Sequence, residues 1–194
     1  MITIYIGKSA AGKDAYYKRQ IAMGVEPIIS YTTRPMRDGE KQGVDYNFVS
    51  VKKFKELIEK NMLAEYRKYD TKVNGVPDTW YYGTPKILDP SKNYVHVVTI
   101  EGVEALIDGF GPENMEIVYV EADDDIRKER AKHRDSKFDE TEWNRRLAAD
   151  AIDFSEEKLI NLAAKLRKPI TVMYNNSSEL GKVTFSKIDP PISS

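Results

Sequence analysis

The chain has 194 residues, with 30 Lys or Arg against 31 Asp or Glu, so its formal net charge is -1. It contains no cysteine, which excludes a disulfide scaffold, a cysteine zinc site, an iron–sulfur cluster and a thiol nucleophile. The balanced charge argues against binding nucleic acid by bulk electrostatics, and no apolar run approaches the roughly 20 residues that cross a bilayer. We therefore expect a soluble cytoplasmic protein with neither a nucleic-acid nor a membrane partner.

Apolar runs and helical spacings alternate along the chain and predict an α/β fold. In chain order we expect strand 2–6, helix 12–23, helix 51–61, strand 94–100, strand 115–120, helix 123–134, helix 141–166 and strand 170–174. Continuous apolar strands that alternate with helices are typical of a parallel sheet covered on both faces. The stretch 30–90 is rich in Tyr, Thr, Arg and Gly, and we interpret it as a lobe inserted into a single domain whose core is 1–29 and 91–194. The Pro-rich end, 190–194, is expected to fray.

A glycine-rich loop directly follows the first predicted strand. Its sequence GKSAAGKD, residues 7–14, fits G-x-x-x-x-G-K and then has an aspartate where Ser or Thr is usual. Glycines let backbone N–H groups curl around a phosphate, the following helix points its positive end at the anion, and the lysine adds charge toward the β- and γ-phosphates. The predicted ATP-binding residues are Gly7, Lys8, Ser9, Ala10, Ala11, Gly12, Lys13 and Asp14.

Asp14 stands where a hydroxyl normally ligates Mg²⁺. A carboxylate is also a hard oxygen donor and can take that role. It can equally be a first-turn carboxylate that favours the helix dipole. Both interpretations stay open from the residues alone.

A second group of motifs lies in 30–49, which reads SYTTRPMRDGEKQGVDYNFV. Arg34 and Arg37 are three apart on a proline-constrained segment, and Tyr46 follows nearby. Two planar guanidinium forks and a hydroxyl suit a clamp for a second phosphate. From spacing alone, a solvated basic loop is the alternative.

Together, these motifs closely resemble those of guanylate kinases. The phosphate loop, S-x-T-T-R-x-x-R-x-G-E, G-x-D-Y-x-F-V-S and Y-Y-G-T with its preceding LAEY carry the resemblance, and later matching segments extend it over about 2–176. It implies a P-loop NTPase fold: a five-stranded parallel core sheet flanked by helices, an inserted mixed or antiparallel β lobe that binds the nucleoside monophosphate, and a helical lid near 127–147. It also implies an enzyme that transfers phosphate from ATP, with Mg²⁺, directly to GMP, giving GDP, with dGMP as a further acceptor.

The resemblance also implies roles for individual residues in the acceptor lobe. Arg34, Arg37, Tyr46 and Tyr82 would hold the acceptor phosphate. Ser30, Glu65 and Thr84 would read the base, and a carboxylate suits guanine, which offers two adjacent N–H donors.

Further along the chain, the resemblance implies a lid with catalytic arginines. Arg130 and Arg134 lie four apart, so they share a helix face, and with Arg146 they would close over the transferring phosphoryl group. Such cations, together with Lys13, are what phosphoryl transfer needs, because charge is spread over the phosphoryl oxygens. Asn175 would contact adenine.

The chain departs from the family in two places. Guanylate kinases usually carry acids near the end of the strand where this chain has Val97 and Thr99, and we hypothesise that Asp14 compensates, with Glu101 as a second candidate. Between Glu65 and Tyr81 the segment 66–80 is longer than the usual short turn, and its Asn-Gly pair at 74–75 predicts a hairpin turn.

These departures leave two alternative functions open. One is a non-catalytic guanylate-kinase-like module that binds phosphopeptides, and the other is a kinase for another nucleoside or deoxynucleoside monophosphate. Either a monomer or a homodimer is compatible with the sequence. His96, within an apolar strand, is interpreted as a core histidine and not as a ligand or a base.

Overall fold

A computed structural model of the protein describes residues 1–73, 76–86, 89–134, 138–177 and 182–191. Its strands are β1 (Ile2–Ile6), β2 (Glu26–Pro27), β3 (Tyr31–Thr32), β4 (Asn47–Phe48), β5 (Leu63–Val73), β6 (Val76–Pro85), β7 (Tyr94–Val97), β8 (Met115–Glu121), β9 (Ile170–Tyr174) and β10 (Thr184–Ile188). Its helices are α1 (Lys13–Ala22), α2 (Val51–Glu59), α3 (Ile100–Phe110), α4 (Asp124–Arg134), α5 (Glu140–Asp153) and α6 (Glu156–Leu166). None of the helices described is long and apolar enough to cross a membrane.

The larger sheet has the strand order β10-β9-β8-β1-β7-β2 over the described part of the chain. Five neighbouring strands, from β9 to β2, run parallel, which confirms the predicted five-stranded parallel core. The sixth strand, β10, pairs antiparallel with β9 and was not predicted from the sequence. Most of its residues are exposed, so no buried face marks it as a strand.

Helices cover both faces of this sheet, as the continuous apolar strands predict. On one face, Ile4 and Ile6 of β1 pack in a core with Leu106 of α3 and Leu162 of α6. On the other face, a smaller core contains Tyr16 of α1. Because β1 lies between β8 and β7, its carboxyl end opens into the middle of the sheet edge, where the glycine-rich loop begins.

A hydroxyl that caps a helix shortens one predicted element and divides another. The predicted strand 94–100 ends at Val97, since the Thr99 side chain accepts a hydrogen bond from the Gly102 N–H at 3.2 Å and begins α3. The predicted helix 141–166 is two helices, α5 and α6. The break lies at Ser155, whose side chain accepts from the Lys158 N–H at the start of α6.

The second sheet, in the order β4-β3-β6-β5, forms the inserted lobe. It is mixed: β3 pairs parallel with β4 and antiparallel with β6, which pairs antiparallel with β5. Phe54 and Leu57 of α2 pack with Leu63 beneath it. The β5–β6 ribbon is long, as the lengthened segment predicts, while the predicted turn at 74–75 lies outside the described residues. Residues 190–191 have no regular secondary structure, and the rest of the predicted frayed end, 192–194, also lies outside them.

Candidate active site

Two positions of the loop between β1 and α1 require glycine. Gly7 and Gly12 have φ angles of 144° and 106°, a region that side chains disfavour. A Cβ at Gly7 would lie 2.3 Å from the carbonyl oxygen of Val120, and one at Gly12 would lie 2.3 Å from the Asn175 amide nitrogen. The loop can therefore follow its path only with glycine there, and the predicted strand–loop–helix arrangement is confirmed.

Lys13 folds back into the curve of this loop. Its ammonium donates hydrogen bonds to the carbonyl oxygens of Gly7 at 2.7 Å and Lys8 at 2.8 Å. Burial lowers the pKa of Lys13, against the opposing charges of Asp14 and Asp150. The cation thus sits inside the loop, where the G-x-x-x-x-G-K pattern predicts it.

Asn175, at the end of β9, ties the sheet to the loop. Its side chain is buried, its Nδ2 donates to the carbonyl oxygen of Ala11 at 2.8 Å, and its Oδ1 accepts from the Tyr16 hydroxyl at 3.3 Å. The amide therefore supports the loop from behind. Its contact with adenine stays a prediction.

A buried ion pair fastens the lid helices to the loop at Ser9. Asp150 of α5 accepts from the Ser9 N–H at 2.9 Å and from its hydroxyl at 3.2 Å. Arg127 of α4 pairs with Asp150 and donates from Nε to the Ser9 carbonyl oxygen at 2.8 Å. The guanidinium lies 5.6 Å from the centre of the Trp143 ring and is fully buried. Sequence analysis missed this pair, because charged residues on polar helices are normally exposed.

The three predicted lid arginines do not play the same part. Arg130 donates to the backbone carbonyl oxygens of Asn175 and Ser177, each at 2.9 Å, so it supports the loop region. Arg134 and Arg146 both line a cavity of about 120 Å³ beside Ser9. The structure therefore brings Arg134 and Arg146 to the glycine-rich loop, and the catalytic role stays a prediction for all three arginines.

Arg145 and Arg146, which the sequence does not distinguish, differ in exposure and direction. Both pair with Glu142, and these hydrogen bonds hold the pKa of the Glu142 carboxyl down at about 2. Arg145 is largely exposed, whereas Arg146 lines the cavity beside the loop. The position of Arg146 thus supports the choice made from sequence.

The predicted acceptor clamp is built around a buried guanidinium. Arg34 packs against the rings of Tyr46 and Phe48, 5.5 and 5.6 Å from their centres, and donates to Glu40 Oε1 at 2.7 Å. Glu40 Oε2 accepts from the Arg37 N–H, also at 2.7 Å. Glu40 therefore orients the segment that carries both arginines. The motif R-x-x-R-x-G-E contains this residue, but sequence analysis gave it no role.

A cavity of about 150 Å³ lies between the lobe and the core. Of the predicted acceptor residues, Ser30, Tyr46, Glu65 and Tyr82 line it, and Asp14 reaches it from the first turn of α1. With Asp14, the structure thus gathers residues from five separate segments around one space.

Glu65 has an unusual environment in this cavity. Its side chain is buried, and Oε1 accepts from the Thr84 hydroxyl at 2.7 Å. Oε2 is buried without a hydrogen-bond partner among the described residues. Since an unsatisfied buried carboxylate oxygen is costly, a ligand with N–H donors is expected to complete the site. The hydrogen bond from the Thr84 hydroxyl orients the Glu65 side chain.

Sequence analysis missed Arg67, which lines the same cavity. Its Nη1 donates to the Thr99 hydroxyl at 2.9 Å, and its Nε lies 4.0 Å from Glu65 Oε2. A guanidinium thus meets Thr99 where guanylate kinases usually carry an acid. Glu101, the second candidate for the missing acid, instead faces Lys158 at 3.8 Å. The lengthened segment 66–80 was the signal for this region, but it does not specify one residue.

His96 is buried at the cavity floor, with its Nε2 3.4 Å from the Ser30 hydroxyl. Burial, together with the charge of Arg67, lowers the pKa of His96 to about 4. The folded protein therefore keeps this ring neutral, whereas the unfolded chain, whose histidine has a pKa near 6.5, takes up a proton below that pH. Acid thus favours unfolding through His96, over the window between about pH 6.5 and 4.

We expect His96 to reduce the free energy of unfolding by about 1.4 kcal/mol when the pH falls from about 7.5 to about 5.5. Urea denaturation of the wild type and of His96→Gln at both pH values measures this contribution. Between the two pH values, the free energy of unfolding of His96→Gln should fall by about 1.4 kcal/mol less than that of the wild type. Equal losses in the two proteins would contradict the prediction.

The family model described as guanylate kinase matches residues 2–107, more than half of the chain. This chain belongs to the guanylate kinase family. It is 32% identical over 149 residues to a guanylate kinase of Mycoplasmoides gallisepticum, covering 72% of this chain and 71% of that protein. It is 28% identical over 155 residues to a guanylate kinase of Prochlorococcus marinus, covering 76% and 79%.

Other guanylate kinase relatives match over less of their length. The chain spans about half, 46%, of a guanylate kinase of Blochmanniella floridana, at 32% identity over 111 residues. The crystal structure of guanylate kinase from Anaplasma phagocytophilum superimposes with a TM-score of 0.51 at 19% identity, covering 80% of this chain and 70% of that one. That structural similarity shows a shared fold.

Proposed function

We propose that this protein transfers the γ-phosphoryl group of ATP directly to GMP, giving ADP and GDP, with dGMP as a further acceptor. The observation that carries the choice of base is the buried Glu65 oxygen in the acceptor cavity that accepts no hydrogen bond from any described residue. Guanine presents two adjacent N–H donors to such a carboxylate, and adenine does not. Family membership and the lysine inside the glycine-rich loop support the reaction class.

Positioning and charge supply the catalysis in this proposal. Arg34, Arg37, Tyr46 and Tyr82 hold the acceptor monophosphate, whose oxygen is already a nucleophile near neutral pH, so no side chain acts as a general base. The N–H groups of the loop cradle the ATP phosphates. The cations that meet the developing phosphoryl charge are Lys13, Arg134 and Arg146, with Arg130 behind them. Closure of the lobe and the lid excludes water, so the acceptor is phosphorylated and ATP is not hydrolysed.

Asp14 fits a role in holding Mg²⁺. It is exposed, it lies in the first turn of α1 and its carboxylate reaches the acceptor cavity. Over the described residues no group of three or more His, Cys, Asp or Glu side chains is arranged to hold a metal. A single carboxylate suffices here, because Mg²⁺ at nucleotide sites is held by one or two carboxylates and the substrate phosphates. The ion would neutralise charge on the transferring phosphates.

The partners in this proposal are the small nucleotides ATP and GMP. Since both belong to the pool of cytoplasmic nucleotides, we place the protein in the cytoplasm.

A coupled assay of ADP release tests the function, with MgATP and GMP, dGMP, AMP, CMP or UMP as acceptors. We expect turnover with GMP and dGMP only. Turnover with another base would show that the protein is a nucleotide kinase but would overturn the role of Glu65 in reading guanine. No turnover with any acceptor, from folded protein, would favour a non-catalytic binding module.

Glu65→Gln is expected to lower kcat/KM for GMP by about 100-fold. The amide turns an N–H group toward the guanine N–H donors, so the variant loses an attraction and gains a clash of donors. Glu56→Gln, an isosteric change at a half-exposed position on α2 of the same lobe, is the matched control and should match the wild type. Equal kinetics for Glu65→Gln and the wild type would show that this carboxylate does not read the base.

A further inference from the structure

Glu65 and Arg67 project from the same face of the β5–β6 ribbon. Side chains alternate along a strand, so residues two apart share a face. In the ribbon, Glu65 lies opposite Thr84, and Arg67 lies opposite Tyr82. Both charged side chains line the cavity that is proposed to receive the acceptor base.

The first turn of α3 fixes the position of the Arg67 guanidinium. Its Nη1 donates to the Thr99 hydroxyl at 2.9 Å. Gly102 leaves room for it, since a Cβ there would lie 3.1 Å from Nη2. The Arg67 side chain stays 39% exposed, and it lines the same cavity as Glu65.

The two side chains present an ordered set of hydrogen-bonding groups. The Glu65 carboxylate supplies acceptors, and the Arg67 Nε lies 4.0 Å from its unpartnered oxygen and supplies a donor. A purine edge complementary to this order has two N–H donors followed by an acceptor. Guanine has that edge, in its 2-amino group, its N1–H and its O6. Adenine carries an amino group at position 6, and 2-aminopurine has neither the N1–H nor the 6-oxo group.

We propose that Arg67 reads the 6-oxo group of the acceptor purine and is a specificity-determining residue beside Glu65. This assignment rests on the proposed function, because it takes a purine monophosphate as the ligand of the cavity. The proposal assigns a function to the guanidinium that donates a hydrogen bond to Thr99. The 2-amino and N1–H groups fall to Glu65, and the 6-oxo group falls to Arg67.

Arg67 also borders a second cleft, of about 450 Å³, which Arg37 and Tyr46 of the acceptor clamp line. A cation in that place can instead attract the acceptor phosphate. The two roles differ in a measurable way: a phosphate contact is indifferent to the base, whereas a contact with the 6-oxo group is lost only for bases that have one.

The test is equilibrium binding of three monophosphates to the whole chain, without ATP. GMP carries all three groups, IMP keeps N1–H and the 6-oxo group, and 2-aminopurine ribonucleoside monophosphate lacks the 6-oxo group. In Arg67→Ala, we expect the Kd for GMP and for IMP to rise by about 10- to 100-fold. The Kd for the 2-aminopurine nucleotide should change by less than about twofold.

Two further variants keep the result decisive. Arg67→Met retains the length of the side chain without a donor, and it replaces Arg67→Ala if that variant fails to fold. Lys55→Ala removes an exposed positive charge from α2 of the same lobe and should leave all three Kd values unchanged.

Each outcome decides the assignment. An equal rise in Kd for all three nucleotides, or no change for GMP, would overturn it. If the wild type binds GMP no more tightly than AMP, this assignment and the proposed function both fail. If it binds GMP with the expected selectivity but releases no ADP in the kinase assay, only the proposed function fails. The assignment of Arg67 to the 6-oxo group is then retained.

Discussion

We expect Lys13→Ala to lower kcat for GMP phosphorylation by about 100- to 1,000-fold and to leave GMP binding nearly unchanged. The ammonium is held inside the phosphate loop by the carbonyl oxygens of Gly7 and Lys8, so it is already oriented before ATP arrives. A fixed cation in a partly desolvated site stabilises phosphoryl charge far better than water does, and loss of one such group typically costs this much. Coupled ADP release gives kcat, and a separate titration gives the Kd for GMP.

Two comparisons separate a loss of charge from a loss of fold. Lys18→Ala removes an exposed lysine from the same helix and should retain wild-type kcat. Lys13→Met keeps most of the buried aliphatic stem, and its circular dichroism should match the wild type while its kcat stays low. A Lys13→Ala enzyme within about threefold of the wild-type kcat would show that the loop does not carry the reaction.

The phosphate loop and the parallel core were predictable because their signals are local. The signal consists of an apolar strand, two glycines at positions where a side chain would clash, and a lysine beside them. Few structures other than a strand–loop–helix are compatible with it. The inserted lobe and its acceptor residues were predictable for another reason: the long motifs of 30–50 and the YYGT segment match a family closely. Their roles in binding still rest on that match, supported by the cavity that Ser30, Tyr46 and Tyr82 share with Glu65.

Capping hydroxyls explain the errors at element ends. Thr99 and Ser155 each look like an ordinary residue of the element that was predicted around them. Each accepts a hydrogen bond from an N–H three residues later and starts a new helix. Periodicity in a window of residues does not locate such a point, because hydrophobic residues continue on both sides of it.

Long-range contacts explain what the sequence could not show at the site. Arg127 and Ser9 are 118 positions apart, and nothing around either residue indicates the other. Arg67 lies in a segment marked only as longer than usual, and its meeting with Thr99 depends on how the ribbon folds over α3. The acceptor cavity thus differs from the family pattern in a paired way: the chain lacks an acid at Thr99, and a guanidinium reaches that residue from the ribbon.

Arg127 joins the helices of the predicted lid to the glycine-rich loop, and Arg127→Ala is expected to lower the free energy of unfolding by about 3–5 kcal/mol. The substitution leaves the Asp150 carboxylate nine-tenths buried beside Ser9 without its cationic partner. It also removes the hydrogen bond to the Ser9 carbonyl oxygen. Urea denaturation at neutral pH measures the loss.

The contact between Arg127 and Ser9 also predicts an effect on ATP binding. Ser9 belongs to the predicted ATP cradle, so Arg127→Ala should weaken ATP binding even where the protein remains folded, whereas the Kd for GMP should change little. Arg145→Ala breaks an exposed pair with Glu142 on the same predicted lid, and we expect it to change the free energy of unfolding little, because solvent screens exposed ion pairs. In the Arg127→Ala background, Asp150→Asn should recover part of the stability, because a neutral amide is cheaper to bury than an unpaired carboxylate. If Arg127→Ala costs no more than Arg145→Ala, the buried pair does not fasten the lid to the loop.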